Sequence, residues 1–571
     1  MTAGRRRAEV AGVALPLAGA RARALGDSLA LRVAAERLRA LGCAVTAPGG
    51  PPPSGAPAGW IGLTALPFAP DGPLPGCAVS WSGPVGVPME GERDVQAACG
   101  IEHVHGRASG GPRPLGVDYA SVCAGVLCSL AVTASALALV RGGRSLSATT
   151  SVAQAALLSL TQYAAAATAP GAGPDFGDPP PGDRRTPPFR AADGVLFEVE
   201  TLDAEAWRDL WTRLGADPGA AAAGWLPFQR RFATATCHLP AALGDTVAAL
   251  DYAQVRAAAE RSGVSVVPVR SADTPPDPAP DSPWRLRGLT PGSPGHALPP
   301  LGPHVHAPLS GIRVLEATTR VQGPLAGHLL GLLGARVLRV EPPGGDPMRG
   351  VPPMAGPYSA RFLALNRGKR AVEADLKSER GRRTALDLAA SAHVFLHNWP
   401  PGRAERLGLA PDDLAAGRPS LVHAHTGGWA DALPDPQPLG TDYLVQAHSG
   451  VAALVNGPGE PPAPSLMTIT DVLGGIIGAE GAVAALLAHA RTGAGVRAET
   501  ALVDAARLLR EAAPPRGPSA DRSAGAAVTT DLAAMAADPA FATAFDTDGA
   551  AYARAPWTFA PAASGPSEEP R

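Results

Sequence analysis

Lysine is almost absent from this sequence, and its two copies stand close together. The 571 residues contain 47 arginines but only Lys369 and Lys377, eight positions apart. An ammonium is a compact point charge that suits a phosphate or a thioester oxygen, whereas the guanidinium fork is broader. The pair therefore indicates a binding segment for an anionic ligand. Composition alone leaves a solvated surface pair as the alternative.

An aspartate at the start of an apolar segment is the second candidate for chemistry. Asp471 stands in the run MTITDVLGG, which leads into a long apolar stretch. A carboxylate can act in an enzyme as a nucleophile or as a base. Aspartate is also a common helix N-cap, and the residue pattern alone leaves both interpretations open.

Alternating strand and helix patterns must position these residues. From Gly311 the sequence runs through the segments GIRVLE, VQGPLAGHLLGLLGA, RVLRVE, SERGRRTALDLAASA, HVFLHN and LVHAHTG. Such βαβ units predict an α/β fold with a Rossmann-like parallel sheet. Ligands of these sheets bind at the carboxyl ends of the strands, where Gln322, Glu341 and Asn398 fall. No GxGxxG motif follows the first strand, so a nicotinamide or flavin cofactor is not indicated.

The composition argues against several other classes of protein. Basic and acidic residues number 49 and 51, so the chain has no basic field for a nucleic acid. The six cysteines form no CxxC pair or ligand-spaced cluster, which indicates buried thiols in a reducing cytoplasm and no metal site. Residues 122–140 carry no charge and are long enough to span a bilayer, but their weak hydrophobicity predicts a buried core helix. We therefore expect a cytoplasmic protein without a membrane partner.

Two related halves make up the chain. Residues 92–158 align with residues 442–508 at a constant offset of 350. The matches fall at turn and packing positions, such as Gly100 with Gly450 and Gly125 with Gly475. Only the second half contains the lysine segment, and only the first is followed by a separate module.

Composition also predicts the domain boundaries. Segments rich in Pro and Gly predict linkers, and the strand and helix signals between them predict a small α+β domain. In chain order, the expected parts are a degenerate large domain at 1–168, a linker at 169–188, the small domain at 189–285, a linker at 286–307, an intact large domain at 308–510 and a truncated tail at 511–571.

The second half resembles the family III coenzyme A transferases. Its segments PLSGIRVLE, VQGPLAG, LLGARVLRVEPPGGDP, LNRGKR, DLKSERGR and HNWPPGRAERLGL follow in the order seen in that family, and the first half resembles the family in degenerate form. The resemblance implies an enzyme that moves CoA between an acyl-CoA and a carboxylic acid. Coenzyme A is then a substrate, and no permanently bound cofactor is expected.

The resemblance also implies roles for individual residues. Asp471 would form a mixed anhydride and then an aspartyl-CoA thioester, with Asp442 beside it. Gly474 and Gly475 would let backbone N–H groups approach the developing oxyanion. The CoA-binding residues implied are Gln322, Asn366, Lys369, Arg370, Lys377, Asn398, Trp399 and Arg406. A strand-end turn stays open for Asn398, a helix-surface charge for Arg406 and a structural role for Asp442.

The first half departs from the family pattern. Ser121 stands at the position of Asp471 and Glu92 at that of Asp442, and the lysine segment has no counterpart. The first half is therefore expected to bind no CoA. Because two chains interlock as a dimer in the family, we expect a fused pseudo-dimer of two interlocked Rossmann-like domains with one working site. Further oligomerisation stays open.

Other functions remain open at this stage. Acyl-CoA racemases of the same family place a histidine before the acid that matches Asp442, but Thr441 stands here, which removes one base. A CoA-dependent lyase is a further possibility. A non-catalytic CoA-binding or assembly protein is the alternative from another class, since one half is eroded and the other truncated. The sequence does not identify the donor and acceptor acids.

Overall fold

The residues described by the computed structural model are 9–10, 13–46, 49–173, 184–275, 284–289, 297–430, 432–457, 459–513 and 527–562.

The first part of the chain forms seven described strands and six helices. The strands are β1 (Glu9–Val10), β2 (Val13–Ala14), β3 (Arg21–Leu25), β4 (Ala44–Val45), β5 (Gly59–Ala65), β6 (Gly76–Ser80) and β7 (Leu146–Ser151). The helices are α1 (Leu29–Ala40), α2 (Glu92–Ala98), α3 (Ile101–Gly106), α4 (Tyr119–Val140), α5 (Val152–Ser159) and α6 (Thr161–Thr168).

The middle module mixes short strands and helices. Its strands are β8 (Arg184–Arg185), β9 (Phe189–Arg190), β10 (Leu196–Glu200), β11 (Leu239–Pro240) and β12 (Ser265–Pro268). Its helices are α7 (Ala204–Leu214), α8 (Pro218–Thr234), α9 (Ala241–Ala248) and α10 (Tyr252–Ser262). The sequence predicts one helix over 246–262, which is wrong. The Asp251 side chain caps a new helix there, and Gln254 accepts a hydrogen bond from the Asp251 N–H at 2.9 Å.

The second half begins after strand β13 (Arg285–Gly288). Its strands are β14 (Arg313–Ala317), β15 (Arg336–Glu341), β16 (Met354–Ala355), β17 (Tyr358–Ser359), β18 (Arg370–Glu373), β19 (Val394–His397), β20 (Val422–Gly427) and β21 (Val496–Ala501). Its helices are α11 (Gln322–Leu332), α12 (Ala360–Asn366), α13 (Glu379–Ser391), α14 (Arg403–Leu407), α15 (Pro411–Gly417), α16 (Asp442–Ser449), α17 (Ile469–Thr492) and α18 (Leu502–Glu511). The last described elements are α19 (Leu532–Ala537), β22 (Phe545–Thr547), β23 (Ala551–Ala553) and β24 (Thr558–Pro561).

The larger sheet has seven strands in the order β13-β21-β20-β19-β14-β15-β18. All neighbours pair in parallel except β13, which is antiparallel to β21. This confirms the predicted α/β fold with a parallel sheet. The chain extends from β14 first toward β15 and β18 and then returns to β19 on the other side. The switch point, where ligands of such sheets bind, therefore lies between β14 and β19.

The smaller sheet repeats this order and keeps the parallel crossovers from β3 to β4 and from β6 to β7, but it lacks the crossovers that lead to and from β19 in the larger sheet. It runs β24-β7-β6-β5-β3-β4, and β5, which occupies the place of β19, is antiparallel to both of its neighbours. Only residues 66–75 connect β5 to β6, and they contain no helix. Such a short connection permits only antiparallel pairing, because a parallel neighbour needs a crossover of a dozen or more residues.

Each half contributes one strand to the sheet of the other. β13 follows the middle module in the chain but pairs with β21, whereas β24 follows the second half but pairs with β7. A buried tryptophan accompanies each exchanged strand. The indole N–H of Trp284 donates to the Ile477 carbonyl at 3.3 Å, and that of Trp557 donates to the Leu127 carbonyl at 3.0 Å. Leu127 and Ile477 are equivalent positions of the internal repeat.

Two long helices fill the centre of the molecule. By length and composition α4 and α17 could each cross a membrane, and the apolar window of each is fully buried inside the protein. Buried core helices pass the same test, and the buried helix expected at residues 122–140 is confirmed. All six cysteines are buried and free of disulfide bonds.

Candidate functional site

Asp471 lies in the first turn of α17, beyond the edge where the parallel strands end. Gly478, two turns further along the helix, packs beside Thr426 near the end of β20. A Cβ built on Gly478 would lie only 2.6 Å from Thr426 Cγ2. Seven helical residues span about 10 Å, so Asp471 projects past the carboxyl ends of the strands. The residue is half-buried.

Asp442 holds the start of that helix in place. Its Oδ1 accepts hydrogen bonds from the Thr470 N–H at 2.7 Å, the Thr470 hydroxyl at 2.5 Å and the Asp471 N–H at 3.0 Å. Its Oδ2 accepts a hydrogen bond from the Gln446 amide. Burial raises the pKa of Asp442 to about 6, although these donors favour the charged form and lower it. Both carboxylate oxygens are thus occupied within the protein.

The same helix cap recurs in the first half. Glu92 Oε1 accepts from the Ala120 N–H at 3.0 Å and from Gln96 Nε2 at 2.9 Å. Its Oε2 accepts from the N–H and hydroxyl of Ser121 at 2.8 and 2.6 Å. An acid and a glutamine therefore cap the central helix in both halves. At the next position of the helix the second half has a further carboxylate, Asp471, whereas the first half has Ser121.

The surroundings of Asp471 favour its neutral form. Burial raises the pKa of this carboxyl well above its usual range, and the carboxylates of Asp442 and Glu200 raise it further. Arg320 acts in the opposite direction and lowers it. A buried carboxyl with a perturbed pKa and a cation beside it is a frequent feature of active sites.

Three parts of the chain meet near the start of α17. Tyr163 belongs to α6 of the first half, and its hydroxyl lies 3.2 Å from the carbonyl oxygen of Phe232 in the middle module. The same hydroxyl lies 3.4 Å from the carbonyl oxygen of Leu466, five residues before Asp471. The site is therefore assembled from both halves and from the module between them.

Gln322 and Asn398 lie at the switch point of the sheet. Gln322 Nε2 donates to the Gly427 carbonyl at 3.2 Å, and a Cβ added at Gly474 would lie 3.0 Å from the same nitrogen. Asn398 Oδ1 accepts from the Thr319 N–H at 3.0 Å, and its Nδ2 donates to the Thr319 carbonyl at 2.8 Å. Asn398 thus has the strand-end role that the sequence left open, next to the expected ligand crevice. Its contact with CoA stays a prediction.

Two imidazoles contact the backbone N–H and carbonyl of Trp399. The Trp399 N–H donates to His397 Nδ1 at 3.3 Å, and the Trp399 carbonyl oxygen lies 3.0 Å from His425 Nε2. The two rings stack with their centroids 4.6 Å apart. Burial lowers the pKa of His397 well below its ordinary value, so its ring stays neutral and can accept that hydrogen bond. The loop after β19 is therefore firmly positioned.

Lys377 and Arg406 remain accessible to a ligand. Both residues are exposed, Lys377 after β18 and Arg406 on α14. Lys377 stands on the same edge of the sheet as Asp471. It follows β18, which lies two strands, or about 10 Å, from β14 across the sheet. Their predicted contacts with CoA stay predictions.

Lys369 and Asn366 are committed to a buried ion network, which contradicts their predicted contact with CoA. Lys369 Nζ lies 2.9 Å from Glu316 Oε2, 2.7 Å from the Pro324 carbonyl oxygen and 3.0 Å from Asn366 Oδ1. Asn366 Oδ1 also accepts from Arg339. The three ammonium donors are thus used, and burial lowers the pKa of Lys369 to about 8. Glu316 is fully buried and requires such counter-charges, so the solvated-pair alternative is also wrong for Lys369.

Arg370 points to the same correction. It is the first residue of β18, at the amino end of a parallel strand and therefore at the edge opposite Asp471. A cavity of about 430 Å³ lies near that edge, between α11, α12 and the hairpin β22–β23. It is separate from the Asp471 edge of the sheet.

Gly474 and Gly475 lie inside α17 rather than at its open end. An N–H group beyond the first turn donates to the carbonyl four residues earlier, so the N–H groups of both glycines are engaged within α17. Their predicted role beside an oxyanion stays a prediction. A Cβ at Gly475 would lie 2.8 Å from the Gln322 carbonyl oxygen and 3.0 Å from Leu325 Cβ. The absence of side chains lets α17 pack closely on α11.

Four residues near Asp471 were missed in the sequence. Arg320 and Thr468 have φ values of 66° and 55°, a left-handed conformation that residues other than glycine seldom adopt. Glu200 and Tyr163 come from distant segments that carry no motif. Of the four, only Arg320 stands next to a recognisable segment, since it directly precedes VQGPLAG.

Comparison with known proteins identifies relatives. The sequence model of CoA-transferase family III matches residues 92–279 and 309–545. The probable fatty acyl-CoA transferase Rv3272 of Mycobacterium tuberculosis is 38% identical over 202 residues, which cover 35% of this chain and 51% of the relative. The acetyl-CoA:oxalate CoA-transferase of Acetobacter aceti is 34% identical over 199 residues, covering 34% and 51%. The succinyl-CoA:glutarate CoA-transferase of Mus musculus is 35% identical over 193 residues, covering 33% and 44%.

Solved structures are similar over a comparable length. The orthorhombic crystal structure of Rv3272 shares 36% identity and covers 36% of this chain and 58% of its own, with a TM-score of 0.34. A CAIB/BAIF family protein from Brucella suis shares 31% identity with a TM-score of 0.33, covering 35% and 55%. The chain spans about half the length of the curated relatives it matches.

Proposed function

Because this chain belongs to CoA-transferase family III, we propose that it transfers CoA between carboxylic acids and that Asp471 is the carboxylate that forms the covalent intermediate. The observation that carries the proposal is the position of Asp471. It is a half-buried carboxyl with a raised pKa at the open start of α17, beside the switch point of a parallel sheet.

The proposed reaction conserves the energy of the thioester. The Asp471 carboxylate attacks the acyl-CoA carbonyl, the C–S bond breaks, and a mixed anhydride and the CoA thiolate form. The thiolate attacks the aspartyl carbonyl of the anhydride and releases the first acid, which leaves an aspartyl-CoA thioester. An incoming acid repeats the two steps in reverse order. No net proton or electron is gained or lost.

We propose that CoA lies along the carboxyl edge of the larger sheet. Gln322, Asn398 and Trp399 line the switch point, and exposed Lys377 and Arg406 are free to meet the phosphates. The contacts of His397 and His425 with the Trp399 backbone hold this loop in place, which favours a preformed crevice for the pantetheine arm. Asn366, Lys369 and Arg370 have no part in this arrangement.

We further propose that the chain is a fused pseudo-dimer with one working site. The exchanged strands β13 and β24 support interlocked halves, and Tyr163 and Phe232 supply walls of the site from outside the second half. The first half has Ser121 where the second has Asp471, and a hydroxyl bonded to Glu92 cannot form the acyl-anhydride intermediate.

Covalent trapping tests this function. We expect acyl-CoA to leave a hydroxylamine-sensitive adduct on Asp471, detected by peptide mass spectrometry in a panel that includes acetyl-CoA and succinyl-CoA. Asp471→Ala should abolish the adduct and lower transfer at least about 1,000-fold, because removing a covalent nucleophile can cost up to about a million-fold in kcat. Ser121→Ala, at the equivalent position of the first half, is the matched control and should retain both.

The opposite outcome is equally informative. A protein that binds CoA but gives no adduct with any donor in the panel would be a CoA-binding or assembly protein. Loss of transfer in Ser121→Ala with full activity in Asp471→Ala would move the site to the first half.

A further inference from the structure

Arg320 adopts a costly backbone conformation at the switch point of the sheet. Its φ of 66° lies in the left-handed region, where the Cβ of an L-residue crowds the backbone. Thr468, three residues before Asp471, is strained in the same way. Strained residues persist where the surrounding structure over-determines them, and they cluster at functional sites.

The preceding peptide group is fixed by a neighbouring strand. Both amide atoms of the Asn398 side chain bond to the Thr319 backbone, one to its N–H and one to its carbonyl oxygen. This bidentate contact sets the direction in which the chain leaves β14. The conformation of Arg320 is therefore built into the loop.

The Arg320 side chain projects from this loop toward the middle module. Its guanidinium carbon lies 5.8 Å from the ring centroid of Phe232, and the residue is exposed. Within the described part of the chain, no hydrogen bond or salt bridge engages its guanidinium. A stacked guanidinium keeps the edge of its fork free for a carboxylate.

Two independent sets of contacts connect the loop of Arg320 with the start of the helix that carries Asp471. Arg320 stands two residues before Gln322, whose amide nitrogen packs on Gly474 in the helix of Asp471. Phe232, beneath the guanidinium, is linked through the Tyr163 hydroxyl to Leu466, just before that helix. Arg320 is also the cation that opposes the rise in the pKa of Asp471.

We propose that Arg320 binds the carboxylate of the acid substrate and holds it against Asp471. This inference rests on the proposed transferase function and identifies the group that recognises the acid. In the reacting complex the acid carboxylate oxygen attacks the carbonyl of the aspartyl-CoA thioester, the C–S bond breaks and CoA leaves as the thiolate. The thiolate then attacks the acyl carbonyl and releases the Asp471 carboxylate. Arg320 offsets the negative charge that the acid brings beside Asp471 and Glu200.

A glycine variant separates this role from the fold. Glycine adopts a φ of 66° without strain, so Arg320→Gly removes the guanidinium and should leave the thermal midpoint unchanged or higher. Arg320→Lys keeps the charge but loses the fork. Arg336→Gln, an exposed arginine at the amino end of β15, is the matched control.

The measurement is the dissociation constant of the full-length protein for acetate, oxalate and succinate, followed by ligand-observed NMR. We expect Arg320→Gly to raise Kd about 10- to 100-fold for the acids that bind, as for loss of a charge-assisted bidentate contact. Arg320→Lys should fall between Arg320→Gly and the wild type, and Arg336→Gln should stay within about twofold of the wild type. An unchanged Kd in folded Arg320→Gly, or no binding of any of the three acids by the wild type, would overturn the proposal.

The two proposals fail in different ways. If acids bind through Arg320 but acyl-CoA leaves no adduct on Asp471, the transferase function fails while the carboxylate site stands. If the adduct forms and Arg320→Gly binds the acids normally, the carboxylate site fails while the transferase function stands.

Discussion

At the scale of single residues, the charges around Asp471 predict how its reactivity depends on pH. Attack needs the ionised carboxylate, so the rate of adduct formation rises as the pH passes through the pKa of Asp471. Glu200→Gln removes a negative charge that raises this pKa, so the midpoint should move to lower pH. Arg320→Gly removes a positive charge that lowers it, so the midpoint should move to higher pH. The initial rate of hydroxylamine-sensitive adduct formation, measured across pH, gives both midpoints.

A matched control lies on the same strand as Glu200. Glu198 and Glu200 both pair with Arg231, at 2.7 and 3.2 Å, but only Glu200 acts on the pKa of Asp471. Glu198→Gln should therefore leave the midpoint unchanged. Equal shifts for Glu198→Gln and Glu200→Gln would instead mean that the loss of the Arg231 pair, and not the charge beside Asp471, moves the midpoint.

Residues in strong local patterns were predictable, and residues defined by distant contacts were not. The helix start at Asp471 and the strand ends before Gln322 and Asn398 follow from local patterns, whereas the roles of these residues were predicted from the family resemblance. Lys369 looked like a phosphate ligand because its partner Glu316 lies 53 positions away, where only the folded sheet brings it close. The left-handed backbone of Arg320 depends on Asn398, 78 positions later, and no local signal announces it.

At the scale of elements, a buried ion pair joins the helices of the two halves. Arg37 of α1 donates to Glu480 of α17, and the two side chains are 4% and 0% exposed. Removing one partner leaves an uncompensated buried charge, so Glu480→Leu should lower the free energy of unfolding by about 3–5 kcal/mol. The equivalent position in the first half is Leu130, so leucine is compatible with this helix. The double variant Arg37→Leu with Glu480→Leu should recover most of the loss in urea unfolding.

A double variant no more stable than Glu480→Leu would show that the pair provides more than charge balance. Arg37 also stacks on the Trp284 ring, with its guanidinium carbon 4.2 Å from the centroid, and that contact is lost in the double variant. Arg37→Met with Glu480→Leu keeps an unbranched side chain over the indole. Comparison of the two double variants separates the stacking from the ion pair.

Elements with strong periodicity were predicted well, and those set by tertiary contacts were not. The segments predicted from alternating patterns occur in the structure as β14, α11, β15, α13, β19 and β20. The short elements between them were not predicted; they are β16, β17, β18, α12, α14 and α15. Helix α8 was missed because Pro227 lies inside it. The antiparallel direction of β5 follows from its short connection to β6. The exchange of β13 and β24 between the two sheets depends on how the two halves pack together, which no local pattern of residues indicates.

At the scale of the whole molecule, exchanged strands predict that the two halves stay together after the chain is cut. A specific protease site inserted between Leu289 and Leu298 divides the chain into two fragments. The first keeps β13, which pairs in the larger sheet, and the second keeps β24, which pairs in the smaller one. We expect the fragments to elute together in size-exclusion chromatography at the position of the intact chain. Two domains joined in tandem without exchange would separate on dilution.

Loss of one exchanged strand should weaken that complex. Ending the chain after Arg554 removes β24 together with Trp557, whose indole bonds to Leu127 in the core of the first half. Burying a tryptophan contributes about 3–5 kcal/mol, so the cleaved and truncated protein should dissociate at a lower urea concentration than the cleaved full-length protein. Trp557→Phe in the cleaved full-length protein keeps the strand and much of the ring, and its dissociation should lie between the two. If all three cleaved proteins dissociate at the same urea concentration, helix packing alone holds the halves together and the exchanged strands contribute little.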